Sequence, residues 1–356
     1  MKKEGVSTLK IAATYIGTIV GAGFATGQEV LQFFTRFGVW GLAGLIVTTI
    51  LFIVFSSIIM TFGKQLNAKS HLEIIKFSGG KWIGSIIDYM ITFFLFGGLT
   101  AMIAGTGALL EQQFHLPHLL GNIIMGIITA YTVLKGIDGV INSISFVVPF
   151  LLISVVGISI YSITASPPDI SASAPVQDGN GLISNWILAA ILYVSYNTII
   201  SVSVLGPLGV KAKDKKAIRN GAILGGLGLG LSSIMIYLAL SGNLSEIVAL
   251  EVPMIMIAGR ISFIIQMIYA IVLIAEIYTT AVGSLYGLTS RFVDMERSPV
   301  KGKMIVTGST IAAILASQFG FSNLVKYLYP LVGYGGIVLL ASLVYVKMKK
   351  KRIEAK

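Results

Sequence analysis

From Ile11 onward the chain is a succession of apolar runs joined by short polar segments. Several runs exceed the roughly 18–20 residues that cross a bilayer as a helix. This pattern predicts an all-α integral membrane protein. Only 12% of the residues are charged and 55% are hydrophobic, too little charge to cover a soluble protein of this size.

Ten spans are predicted, at about 10–36, 39–62, 81–111, 119–136, 139–164, 185–210, 216–241, 261–291, 303–320 and 322–346. With the N-terminus inside, 23 of the 26 Lys and Arg residues fall on the cytoplasmic side, and only Arg36, Arg260 and Lys326 fall outside. The positive-inside rule therefore predicts a multi-pass protein of the cell membrane with both termini cytoplasmic. The same distribution accounts for the net charge of +11, so nucleic acid is not implied as a partner. The basic N-terminus resembles a signal peptide, but Gln28, Glu29 and Arg36 follow the apolar run where small residues would mark a cleavage site. It is read as a retained first span. There are no cysteines, and His71, His115 and His118 fall in loops or at helix ends. No disulfide, metal centre or other cofactor is expected, apart from Na⁺ as a coupling ion.

The chain reads as one transmembrane domain, 1–356, with no loop long enough for a soluble unit. A polar outer linker, 165–184, separates repeat one (10–164) from repeat two (185–346), and 347–356 is a cytoplasmic basic tail. Five spans on each side give the second set opposite polarity, the arithmetic of an inverted-topology repeat. Segment 243–259, semi-apolar and carrying Pro253, reads either as a lid over a cavity or as an interfacial helix.

Span one reads Tyr15-Ile-Gly-Thr-Ile-Val-Gly-Ala-Gly-Phe-Ala-Thr-Gly-Gln-Glu29, with Gly17, Gly21, Gly23 and Gly27 near mid-membrane. Small-residue helix packing is one reading. The other is an unwound segment, which must line a cavity because its freed backbone groups cannot face lipid. Thr26-Gly-Gln-Glu29 has the form of a capping box, as at a helix start. A break here leaves carbonyls near Gly17–Val20 for a cation and amides near Gly23–Thr26 for an anionic group. Span six offers Tyr193, Ser195, Tyr196 and Asn197. Ser195 or Asn197 is a candidate cap for a second half-helix, and the tyrosines are candidate ligand contacts. A continuous helix with interhelical Ser and Asn hydrogen bonds is the alternative.

Glu276 falls at the middle of span eight, with Thr279 and Thr280 on the same face. An ionisable group at that depth is a functional candidate by default. These oxygens suit a hard cation such as Na⁺, or Glu276 binds and releases a proton. Glu29 is a cap or an ion-coupling group. Asp88 is read as pairing with an inner-loop Lys, Gly225–Gly230 as close helix packing, and Pro149 and Pro330 as kinks. No Walker A sequence and no hydrolase triad is present, so an enzyme is not expected.

The stretch Ile16-Gly-Thr-Ile-Val-Gly-Ala-Gly-Phe24 resembles the first-helix motif of the amino acid–polyamine–organocation (APC) superfamily, and the whole chain resembles the YkvI-type bacterial membrane proteins. The resemblance implies a LeuT-type fold with helices one and six discontinuous, working by alternating access. It implies amides around Gly21, Ala22 and Gly23 receiving a substrate carboxylate. It also implies a sodium site formed by carbonyls of Gly17 and Val20 with hydroxyls of Thr279 and Thr280. Phe24 stands where some relatives place a second-sodium ligand, Ser195 stands where many have glycine, and Glu276 lies outside the usual pattern.

The function expected is Na⁺- or H⁺-coupled symport of an amino acid or similar small zwitterion. Gly21, Ala22, Gly23, Thr26, Tyr193, Ser195, Tyr196 and Asn197 are the candidate substrate contacts. The alternative is a germinant-receptor-like sensor on a transporter fold, which binds solute without moving it. A channel ranks last, since no filter-like repeat is present. The sequence sets neither the solute nor the oligomeric state.

Overall fold

The computed structural model describes residues 5–68, 70–135, 138–171, 181–295 and 297–354. Residues 172–180 of the linker 165–184 and the last two residues of the tail lie outside them. Among the described residues the regular structure is helical, apart from one isolated bridge between Val6 and Ala212. The order is α1 (Thr8–Ile19), α2 (Ala22–Ala25), α3 (Gln28–Phe33), α4 (Val39–Leu66), α5 (His71–Phe114), α6 (His118–Lys135), α7 (Asp138–Ala165), α8 (Trp186–Lys211) and α9 (Lys215–Ser241). Then follow α10 (Leu244–Ile247), α11 (Pro253–Ile261), α12 (Phe263–Phe292), α13 (Pro299–Ala316), α14 (Phe321–Asn323), a π-helical turn at Leu324–Leu328 and α15 (Tyr329–Glu354).

Seven of the described helical stretches are long and apolar enough to cross a bilayer: α4, α5, α6, α8, α9, α12 and the run Phe321–Lys349. Their outer faces are themselves apolar. Ile127, Leu231 and Phe263 are all exposed, and Trp40 stacks on Trp186 at 5.6 Å. A surface of that kind is covered by lipid in a membrane protein.

Helix starts follow local chemistry. Asn185 caps α8 by accepting Leu188 N–H at 2.9 Å, Asp214 caps α9 through Ala217 N–H at 2.6 Å, and Ser262 caps α12 through Ile265 N–H at 3.2 Å. Helix α5 opens with a capping box between Ser70 and Glu73. It is interrupted at Gly80 (φ 70°), where the predicted third span begins. The glycine run of α9 is packing, as expected: a Cβ at Gly225 would run into Tyr15, at Gly226 into Ile53 and at Gly230 into Thr49.

Three expectations are corrected. Helix α8 is continuous from Trp186 to Lys211, so span six has no break. Asn197 Nδ2 donates back to Tyr193 C=O at 2.9 Å, Thr198 Oγ1 to Val194 C=O at 2.7 Å, and Ser195 Oγ across to Gly333 C=O at 2.6 Å. These side chains are used within and between helices, leaving none to cap a half-helix. The capping box at Thr26–Glu29 does not form. The residue before α3 is Gly27 at φ 81°, and Glu29 bonds Tyr196 rather than the Thr26 backbone. Asp88 pairs with Arg291 and with His71 (3.2 Å), not with a loop lysine.

Segment 243–261 forms a lid. Helix α11 buries Met254, Ile255, Ile257 and Ala258 on the bundle. Arg260 ties it to α10 through Asn243 and Glu246. Met254 N–H donates to Thr26 C=O at 3.0 Å, so the lid is bonded to span one.

Candidate functional site

Span one is broken between α1 and α2. Helix α1 ends at Val20, in extended conformation (φ −68°, ψ 110°), and Gly21 is also extended (φ −129°, ψ −174°). Two extended residues cannot continue a helical ladder. The last carbonyls of α1 therefore lack intrahelical partners, as do the first amides of α2. The freed amides begin at Ala22, one residue before the predicted Gly23–Thr26, because Gly21 rather than Thr26 precedes the helix start.

The break opens on a cavity of about 410 Å³. Gly17, Val20, Gly21, Ala22 and Gly23 line it from span one, Tyr196 and Asn197 from α8, and Glu276, Thr279 and Thr280 from α12, with Glu29 beside them. Three predicted contacts do not reach it. Thr26 is fully buried, with its hydroxyl on Gly23 C=O at 3.0 Å. Ser195 is spent on Gly333. Tyr193 packs among Phe33, Phe34 and Phe52 with centroids 5.1–5.9 Å away. Its hydroxyl lies on the Glu29 side of that cluster without reaching hydrogen-bond geometry.

The cavity lies on the side of the break nearer the chain termini. From α8 it takes Tyr196 through Val204, and from α12 Glu276 through Ser284, the C-terminal portion of each helix. The other end is sealed. Gln112 holds Val252 of the lid, Glu251 Oε2 accepts Phe321 N–H at 3.3 Å, and Gln28 bonds Ser322.

Two carboxyl groups face this space. Glu29 is 5% exposed and accepts the Tyr196 hydroxyl at 2.5 Å. Its side chain lies over Gly23, where a Cβ would collide with it. Glu276 is 3% exposed, and its Oε2 has no hydrogen-bond partner. Thr279 Oγ1 donates to Glu276 C=O at 3.0 Å, which leaves its lone pairs available. Sequence reasoning missed Tyr329, Phe94, Gly98 and Gly283. Gly283 was within reach, since it follows Glu276, Thr279 and Thr280 at the next helical repeat. Tyr329 and Phe94 carry no signal beyond an aromatic in an apolar run.

A broken first span beside a cavity, within a bundle of apolar helices, is the arrangement of a membrane protein with the LeuT-type fold. The solved structures agree in fold. MhsT in complex with L-phenylalanine superposes with a TM-score of 0.64 over 95% of this chain and 89% of that one, at 17% identity. A Na⁺-coupled sialic acid symporter gives 0.66 over 95% and 79%, at 13% identity. Inward-facing Mhp1 gives 0.59 over 92% and 74%, at 17%. The chain belongs to the family of the uncharacterized membrane protein YkvI of Bacillus subtilis (strain 168), with which it shares 31% identity over 352 residues, 99% of each chain. The protein YyaD of the same organism is 29% identical over 342 residues, 94% of this chain and 96% of its own. No family model matches the chain.

Proposed function

We propose that this protein is a secondary active transporter that couples uptake of a small zwitterionic solute, such as an amino acid, to a Na⁺ or H⁺ gradient. The observation that carries the reading is the cavity at the α1–α2 break, where orphaned backbone groups meet a buried carboxyl whose Oε2 has no hydrogen-bond partner. Orphan amides suit an anionic group, and orphan carbonyls with Thr279, Thr280 and Glu276 suit a cation. A binding site of that kind at half-depth is the plan of alternating-access carriers.

Ten crossings in two inverted sets of five are part of this proposal. The broken α1–α3 stretch is the first crossing, α7 the fifth and α13 the ninth. The packing supports the repeat. Helix α1 lies on α9 as α8 lies on α4, and α5 lies on α15 as α12 lies on α7. Exchange of the two sets maps each of these pairs onto the other. The 23-to-3 split of basic residues supports cytoplasmic termini, with the lid on the outer face.

Uptake into proteoliposomes under imposed Na⁺ or H⁺ gradients tests the function. Saturable uptake driven by one gradient is expected. Saturable binding with no flux under either gradient replaces the transporter with a sensor.

A further inference from the structure

We propose that Glu29 recognises an ammonium group on the solute, and that this positive group, rather than a carboxylate, is the solute's obligatory feature. The inference rests on the transport reading above and adds a substrate class to it. Its first ground is charge. Glu29 and Glu276 both line the cavity, and no Lys, Arg or His is among the lining residues described. A carboxylate removed from water needs a counter-charge close by. The coupling cation meets that need at Glu276 and leaves Glu29 for the solute.

The second ground is the wall around Glu29. Tyr196 and Tyr329 lie 5.1 Å apart, Phe94 and Tyr329 5.6 Å, and Phe94 and Tyr196 6.1 Å, as ring centroids. All three rings line the cavity. Aromatic faces beside a carboxylate attract an organic cation and repel an anion. The Tyr196 hydroxyl donates to one carboxylate oxygen, which fixes the group and leaves lone pairs for an incoming N–H donor. The third ground is position. The Glu29 side chain covers Gly23, at the α2 amides. It already brings a negative charge to the place where a solute carboxylate would sit, so that carboxylate becomes dispensable.

Probes of one skeleton separate the possibilities. Purified full-length protein is challenged with L-leucine, 3-methylbutylamine and 4-methylpentanoate, with the corresponding phenylalanine set, and with putrescine. Thermal shift and isothermal titration read binding. Ammonium-bearing probes are expected to bind, and the deaminated acids are not. Glu29→Gln should weaken ammonium-probe binding by about tenfold or more. Tyr329→Leu, which removes one wall and keeps the carboxyl, should weaken it by about threefold or more. It also stands in if Glu29→Gln fails to fold. An acid that binds as well as its amine overturns the inference, as does unchanged affinity in a folded Glu29→Gln, or in Tyr329→Leu where that variant stands in. Failure of every ammonium probe to bind wild type overturns it too. Flux is read separately. Glu29-dependent binding without gradient-driven uptake removes the transporter and keeps the inference. Gradient-driven uptake of 4-methylpentanoate keeps the transporter and removes the inference.

Discussion

Gln112, near the end of α5, holds both backbone polar groups of Val252 in the lid. Its Nε2 donates to Val252 C=O at 2.9 Å and its Oε1 accepts Val252 N–H at 3.1 Å. One carboxamide thus meets both backbone polar groups of Val252, whose carbonyl also accepts Ile255 N–H at 3.3 Å. Gln112→Leu keeps the bulk and leaves Val252 N–H unpaired, at about 1–3 kcal/mol. The chain has no cysteine, so a single introduced thiol reports opening. Gly21→Cys suits this use, because a Cβ there meets open space. From the lid side, labelling of Gly21→Cys by a charged thiol reagent should quicken about tenfold when Gln112→Leu is added. An unchanged rate removes Gln112 as a latch.

Glu251 makes the same lid sensitive to pH. Burial raises its carboxyl above the ordinary value of 4.5. Neighbouring Glu111 adds to the rise, while the Phe321 and Ser322 amides and His118 oppose it. A raised value means that the proton is held more tightly with the lid closed than with it open and solvated. The contribution to closure is therefore complete below about 4.5 and disappears as pH rises through the raised value. Labelling of Gly21→Cys from the lid side should increase with pH across that window. Glu251→Gln should stay slow throughout, and a persisting pH profile in that variant would remove Glu251 as its source.

Much of the fold was legible because lipid enforces it. Apolar runs, polar ends and capping residues such as Asp214 and Ser262 act locally, and the predicted spans fall on observed helices to within a few residues. The break in span one was legible from glycine density, and its second half-helix starts at Ala22, one residue before the expected Gly23. Thr26 and Glu29 had the spacing of a cap, but Tyr196, 167 residues away in sequence, offers Glu29 a hydroxyl donor. Ser195 failed as a cap for the same reason, its partner Gly333 lying on another helix, whereas Asn197 bonds back four residues to Tyr193 C=O within α8. The face Glu276–Thr279–Thr280 was readable because helical periodicity fixes it. The aromatic wall was not readable, because it is assembled from three helices.

Glycines in this bundle fall into two groups with opposite expectations. A Cβ on Gly209 would run into Met60 C=O and one on Gly63 into Gly206 C=O, so α4 and α8 touch through their backbones. Gly209→Ala should cost about 1–3 kcal/mol, seen as a lower melting temperature. Gly283 faces open space in the cavity. Gly283→Ala should melt at or above the wild-type temperature, since alanine favours helix by up to about 1 kcal/mol. Gly283→Leu should melt similarly and weaken solute binding by filling the cavity. If both positions lower the melting temperature alike, the open space at Gly283 is not a binding cavity.

Glu276 carries the coupling prediction. Its Oε2 is buried without a partner, while the neighbouring Thr279 hydroxyl points its proton at the Glu276 carbonyl and its lone pairs elsewhere. Thr280 sets a hydroxyl beside the carboxyl, and Oε2 is completed only when a cation or a proton binds. Glu276→Gln replaces one oxygen by an NH₂ donor of nearly the same shape. Gradient-driven uptake should fall about tenfold or more, while solute exchange at equal concentrations on both sides persists, because exchange does not require the coupling ion to be released. Thr280→Val then separates the ions. If Na⁺ completes the site, both variants lose Na⁺ dependence together, since each removes an oxygen. If a proton completes it, Thr280→Val keeps its pH dependence and only Glu276→Gln loses it. Unaltered gradient-driven uptake in Glu276→Gln would exclude this carboxyl from coupling.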